Sequence, residues 1–168
     1  VPQSDAGSRS ALGAIVELLV RPKVEPATDD EWRTALDVCK RLDGGADNDP
    51  RTGALLARVS LGKRGQGVKV RLGRGLVRVT SQFGHLHGLP HSDRWGGAPD
   101  CNRVKNWAAD ENERLPSGFI VMDEYEGLHF GAQFIVGDWS EEDLRKLIVV
   151  VAQRADDYEA ALVGNDEF

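Results

Sequence analysis

The chain has 168 residues, 40% hydrophobic and 29% charged, with 19 glycines and 7 prolines; this is the composition of a globular domain and excludes a disordered or collagen-like chain. Cys39 and Cys101 lie far apart and in no C-x-x-C, which excludes a disulfide framework or zinc ribbon and makes a reducing compartment, the cytoplasm, the expectation. The net charge of −6 argues against a dedicated nucleic-acid binder, whose affinity rests on neutralising phosphates.

Residues 1–10 are small and polar and are expected to form a flexible tether. The chain begins at Val1 and its only methionine is Met122, as expected of a processed product or a piece of a longer chain. Residues 11–20 carry Leu12, Ile15, Val16 and Leu19 at helical spacing, with Pro22 as the stop. This apolar run contains Glu17 and is about half a membrane span, so an amphipathic helix is predicted and no membrane anchor. Thr28 and Glu31 then form a capping-box pattern before a stripe of Trp32, Ala35, Leu36, Cys39 and Leu42, and Gly44-Gly45 ends that helix.

From Ala54 the apolar period changes to two. Leu55, Ala57 and Val59 alternate with Leu56 and Arg58; Val68, Val70 and Leu72 with Lys69 and Arg71; Val77 and Val79 with Arg78 and Thr80. Three strands of an antiparallel meander are predicted, joined through residues 62–67 and 73–75. Lys69, Arg71 and Arg78 should then share the face opposite the apolar one. A glycine-rich connection over residues 84–99 fits neither period. Asp100 opens a helix marked by Val104, Trp107, Ala108, Glu111 and Leu115 and stopped by Pro116. Phe119 and Val121 alternate with Ile120 and Met122, a turn follows at 124–127, and Leu128, Phe130, Phe134 and Val136 complete a second hairpin. Ser140 and Asp143 cap a last helix with Leu144, Leu147, Ile148, Val151, Ala155, Tyr158 and Leu162 on one face. Residues 164–168 are a tail.

The prediction is a single α+β domain over residues 11–163: an antiparallel sheet of about five strands, in the order α-βββ-α-ββ-α, with helices packed on one face.

Charge is uneven along it. Residues 1–50 carry 6 basic and 10 acidic side chains, residues 51–107 carry 11 and 2, and residues 108–168 carry 4 and 15. No acid lies between Arg51 and Ser92, a stretch that holds Arg51, Arg58, Lys63, Arg64, Lys69, Arg71, Arg74 and Arg78. Such a stripe can attract phosphates or an acidic protein, or it can face solvent and the domain's own acidic helices.

Chemical motifs are sparse. His85, His87 and His91 form H-x-H-x-x-x-H, with Cys101 and His129 elsewhere, a donor set that suits a transition metal; no fourth ligand has a motif-like spacing, and the site is a weak candidate. Residues 62–67, Gly-Lys-Arg-Gly-Gln-Gly, lack the phosphate-loop spacing and lead into a strand. No cysteine has a neighbouring histidine and no G-x-S-x-G occurs, so no nucleophile stands out. The acid pairs Asp123-Glu124 and Asp156-Asp157 fall at a turn and a helix end, where general acid or base work is not expected. Trp32, Trp107 and Trp139 fall at apolar phases, whereas Trp95 in the glycine-rich connection is the aromatic to consider for recognition.

Several segments together resemble the YbjN-like family, often labelled bacterial sensory transduction regulators and similar in fold to type III secretion chaperones. They are Asn102 and Asn106 ahead of Trp107, the hairpin from Phe119-Ile120-Val121-Met122-Asp123 to Leu128-His129-Phe130, and Ser140-Glu141-Glu142-Asp143-Leu144 opening the last helix. The likeness covers residues 101–163 by pattern and 28–163 by element order. It implies a non-enzymatic domain, a homodimer that binds a peptide segment or partner protein, with no cofactor. Arg58, Lys69, Arg71, Arg78 and Trp95 are the candidate partner-binding residues. A nucleic-acid-binding regulator using the basic sheet face is the alternative, and a metal-binding protein using the loop histidines the third reading.

Overall fold

The computed structural model of the chain describes residues 25–42, 45–49, 53–135 and 139–163. The predicted tether, the first amphipathic helix at residues 11–20 and the tail at 164–168 lie outside the described residues. Helix α1 (Asp29–Lys40) begins where the Thr28 hydroxyl accepts from the Glu31 N–H at 3.2 Å and the Glu31 carboxylate accepts from the Thr28 N–H at 2.8 Å. This exchange satisfies donors that a helix start otherwise leaves open.

Six strands follow among the described residues: β1 (Ala46–Asp49), β2 (Ala54–Leu61), β3 (Arg64–Gly73), β4 (Leu76–His85), β5 (Phe119–Met122) and β6 (Gly127–Ile135). They form one sheet in the order β1-β2-β3-β4-β6-β5, every neighbouring pair antiparallel. Helix α2 (Cys101–Arg114) carries the chain from β4 to the far edge, where β5 starts, and α3 (Glu141–Val163) follows β6. Both starts are capped as the sequence predicts: Asp100 accepts from the N–H groups of Asn102 and Arg103 at 2.9 Å, and Ser140 and Asp143 exchange hydrogen bonds.

Register aligns the apolar phase of each strand. Leu55 lies opposite Val70 and Val70 opposite Val79, while Ala57 faces Val68 and Ile120 faces Phe130. These side chains are buried beneath Leu144, Ile148, Val151 and Ala155 of α3, flanked by Ala35, Val38 and Cys39 of α1 and by Val104 and Ala108 of α2. Trp32, Trp107 and Trp139 pack against this core. Burial pushes the Cys39 thiol up to about 11. The architecture is the predicted α+β one, with helices on one face of the sheet.

Two details differ from expectation. The sheet has a sixth strand, β1, whose Ala-Asp-Asn-Asp offers no apolar alternation; its register against β2, with Ala46 opposite Ala57, makes it a strand. The strands are also longer than the apolar pattern shows. Residues 64–67 belong to β3 and 81–85 to β4, so the turns shrink to Gly62-Lys63 and Arg74-Gly75. Polar side chains hide the period there: buried Gln66 donates to Ser81 Oγ at 3.1 Å and to the Gln82 carbonyl at 2.7 Å, and Ser81 donates to the Gly67 carbonyl at 2.7 Å. A satisfied buried network of this kind holds the strand pair in place of apolar contact.

Candidate functional site

Because α1, α2 and α3 all pack on one side, the other side of the sheet carries no helix among the described residues. The residues out of phase with the core come together there. In register across the strands, Leu56 lies opposite Lys69, Lys69 opposite Thr80, and Arg71 opposite Arg78. Arg78 lies opposite Gln133, Thr80 opposite Gly131, and Gly131 opposite Phe119. Arg58 joins from β2, facing Gly67. No acidic residue occurs in β2, β3, β4, β5 or β6.

Arg58, Lys69, Arg71 and Arg78 therefore share one face, as their phase predicts. The basic stripe faces the protein's own helices only in part: Arg64 stands 3.6 Å from Asp156 of α3, and Arg74 pairs at 3.0 Å with Glu25 ahead of α1. Glycines shape the open face. A Cβ at Gly65 would stand 2.5 Å from Arg58 Nε, and one at Gly131 would stand 2.5 Å from the Phe119 ring, so these two side chains lie flat across the strands over glycine.

Arg78 is held in place on this face. Its Nε and Nη2 donate to Gln133 Oε1 at 3.1 and 3.0 Å, and its guanidinium carbon is 5.9 Å from the Phe119 ring centre. Burial and then the Arg71 charge lower its pKa. Half-buried Phe119 and Val121, with Leu56 at 39% exposure, supply apolar surface beside the cations. The sequence reading missed these three and Gln133. Phe119 and Val121 alternate with residues equally apolar, so nothing in β5 alone says which phase is outward.

Trp95 is corrected. It is 4% exposed, in a short 3-10 turn (Asp93–Trp95), with its ring edge-on to Trp107 at 5.5 Å, and it belongs to the core. The glycine-rich connection has too little regular structure to show a period, yet it folds Leu86, Leu89 and Trp95 inward.

The histidines divide among separate jobs. His85 and His87 stack at 5.4 Å, His87 pairs with Glu126 at 2.8 Å, and exposed His91 lies further along the loop. Among the described residues no three His, Cys, Asp or Glu side chains gather as metal ligands. His129 is on the open face, 2.8 Å from Asp123. Asp123 also accepts from the Tyr125 and Gly127 N–H groups at 2.9 and 2.8 Å. Burial pushes the Asp123 carboxyl up, but the bonds from His129, Gly127 and Tyr125 outweigh it and hold the pKa below its ordinary value. A carboxyl lowered on folding stabilises the fold above its unfolded pKa, about 4, and that contribution disappears as pH falls through the lower folded value. Acid titration of stability should therefore be shallower below pH 4 in Asp123→Asn than in the parent; identical urea midpoints across that range would refute this role of the hairpin.

No helix among the described residues is long and apolar enough to cross a membrane. No protein-family model matches the chain, and no curated protein sequence matches it. In fold the chain is similar to a chain in the crystal structure of the ExsC-ExsE complex, with a TM-score of 0.58 and 14% identity over 82% of this chain and 96% of that one. At that identity the likeness concerns the fold alone, and it agrees with the α+β architecture described above.

Proposed function

We propose that this protein is a non-enzymatic, YbjN-like binding module that holds a segment of a partner protein on the face of its sheet that carries no helix among the described residues. The observation that carries this reading is the strip across β2, β3 and β4, strands that hold no acidic residue, on which Arg58, Lys69, Arg71 and Arg78 stand with Leu56, beside Phe119 and Val121 of β5. Cations beside half-exposed apolar side chains make a surface that a peptide can cover with both charge and hydrophobic area. The structural neighbour, a member of a two-protein complex, supports the same reading. The resemblance adds a homodimer, and the free cysteines Cys39 and Cys101 suit the cytoplasm.

Native mass spectrometry of the protein isolated gently from its source tests this. The expected species is one or two chains plus a polypeptide, and that polypeptide, once isolated, should bind Arg58→Glu/Arg71→Glu at least tenfold more weakly than the parent. Unchanged affinity of the double variant would remove the face from the reading. A nucleic-acid-binding regulator remains the second reading because Phe119 beneath Arg78 combines a stacking surface with a phosphate-pairing cation. It requires affinity that falls steeply with salt, and a flat salt response excludes it.

A further inference from the structure

Arg71 and Arg78 lie directly opposite each other on β3 and β4. Like charges in that position destabilise a sheet. Neither is neutralised: among the described residues no carboxylate pairs with either one, and the acceptor held by Arg78 is the uncharged Gln133 amide oxygen. An anion placed between the two guanidinium groups relieves their repulsion and gains charge-assisted hydrogen bonds from both. Phe119 is beside this point, its ring centre 5.9 Å from the Arg78 guanidinium carbon. In an extended chain, side chains i and i+2 fall on the same side, about 7 Å apart.

Building on the binding reading above, we infer that the face takes an extended acidic segment, with an Asp or Glu carboxylate between Arg71 and Arg78 and an apolar side chain two residues away on Phe119. The limited extent of the cationic strip and the apolar surface beside it favour a carboxylate-bearing peptide over a nucleic acid. The cationic strip from β2 to β4 is two strand spacings wide, about 10 Å. Acids bound it on the same face: Asp47, opposite Leu56, at the β1 side, and Asp123, bonded to His129, beside β5. One or two carboxylates fill that strip, whereas a run of phosphates extends past it onto those acids. The apolar flank adds affinity for a side chain that a phosphate backbone does not supply.

Fluorescence anisotropy of the full chain with labelled twelve-residue peptides tests the inference: three repeats of Ser-Glu-Ser-Leu, the same peptide with Gln for Glu, and a twelve-nucleotide oligo-dT strand. The Glu peptide should bind at least tenfold more tightly than the Gln peptide. Arg71→Gln should abolish that preference while leaving the Gln peptide's affinity unchanged, and Phe119→Ser should weaken both peptides alike. Arg71 is exposed and faces a like charge, so Arg71→Gln should melt no lower than the parent, which separates lost binding from lost folding. Peptides that bind with no Glu preference, or a preference that survives Arg71→Gln, overturn the inference and leave the protein-binding reading intact. Tighter binding of oligo-dT, lost in Arg71→Gln, overturns both in favour of nucleic acid. No binding of either peptide overturns the inference, and the native mass spectrum then decides the broader reading by itself.

Discussion

Trp95→Ala should lower the unfolding free energy by about 3–5 kcal/mol, the usual cost of removing a buried indole. In a domain of this size that corresponds to a fall in Tm of roughly 6–20 °C. The residue closes one end of a continuous aromatic contact: Trp95 on Trp107 at 5.5 Å, Trp107 edge-on to Tyr158 at 6.2 Å, and Tyr158 against Phe83 at 5.3 Å and Phe130 at 5.9 Å. Tyr158 is fixed by donating to Glu111 at 3.0 Å, and burial, then Glu111, pushes its phenol up to about 12. Removing Trp95 leaves a cavity where the loop after β4 meets α2, and α2 loses the ring against which Trp107 rests. Denaturant titration gives the value directly. A loss below about 1 kcal/mol would mean that the indole is not a core group and would return Trp95 to the surface role that its loop position suggests.

Asn112→Leu is expected to cost about 2–6 kcal/mol, from the same titration, and to cause concentration-dependent association. β5 is an edge strand, and Asn112 of α2 closes it: its amide donates to the Ile120 carbonyl at 2.9 Å and accepts from the Ile120 N–H at 2.6 Å. The side chain thereby stands where a neighbouring strand's peptide group would. Leucine keeps the volume but leaves both backbone groups unpaired at a partly buried edge, at about 1–3 kcal/mol for each buried group left unsatisfied. An open edge is also a template for another strand. Sedimentation at increasing concentration reads the second effect. Parent-like stability together with a monodisperse variant would show that water replaces the amide at no cost and that the edge is protected by something else.

Asn112 also shows where sequence reading stops. It sits in the last turn of α2 between Glu111 and Glu113, and lies off the stripe of Val104, Trp107, Ala108, Glu111 and Leu115 by which the sequence marks that helix. Its partner, Ile120, is eight residues away across a turn containing Pro116, and only the docking of α2 on the edge of β5 brings the two together. The two asparagines that carry the family resemblance, Asn102 and Asn106, are exposed on α2. Trp95 fails for a related reason: a loop rich in glycine has no period from which to read a buried side.

The open face was half legible. Period-two alternation in β2, β3 and β4 places Arg58, Lys69, Arg71 and Arg78 opposite the core, because a charged phase beside an apolar phase leaves one solution for burial. β5 has no such contrast, and its outward pair, Phe119 and Val121, follows from register with β6. Gln133 becomes a partner of Arg78 only because β6 inserts beside β4, a neighbour relation that chain order does not contain.

Local chemistry in the sequence determined the helix starts at Thr28, Asp100 and Ser140, the apolar phase of each long strand and the segregation of charge, since capping and alternation act over a few residues. Tertiary structure alone decided the strand order and, with it, which side chains of neighbouring strands meet on the face opposite the core. Those outcomes depend on contacts between residues tens of positions apart, where burial of shared apolar area outweighs local preference.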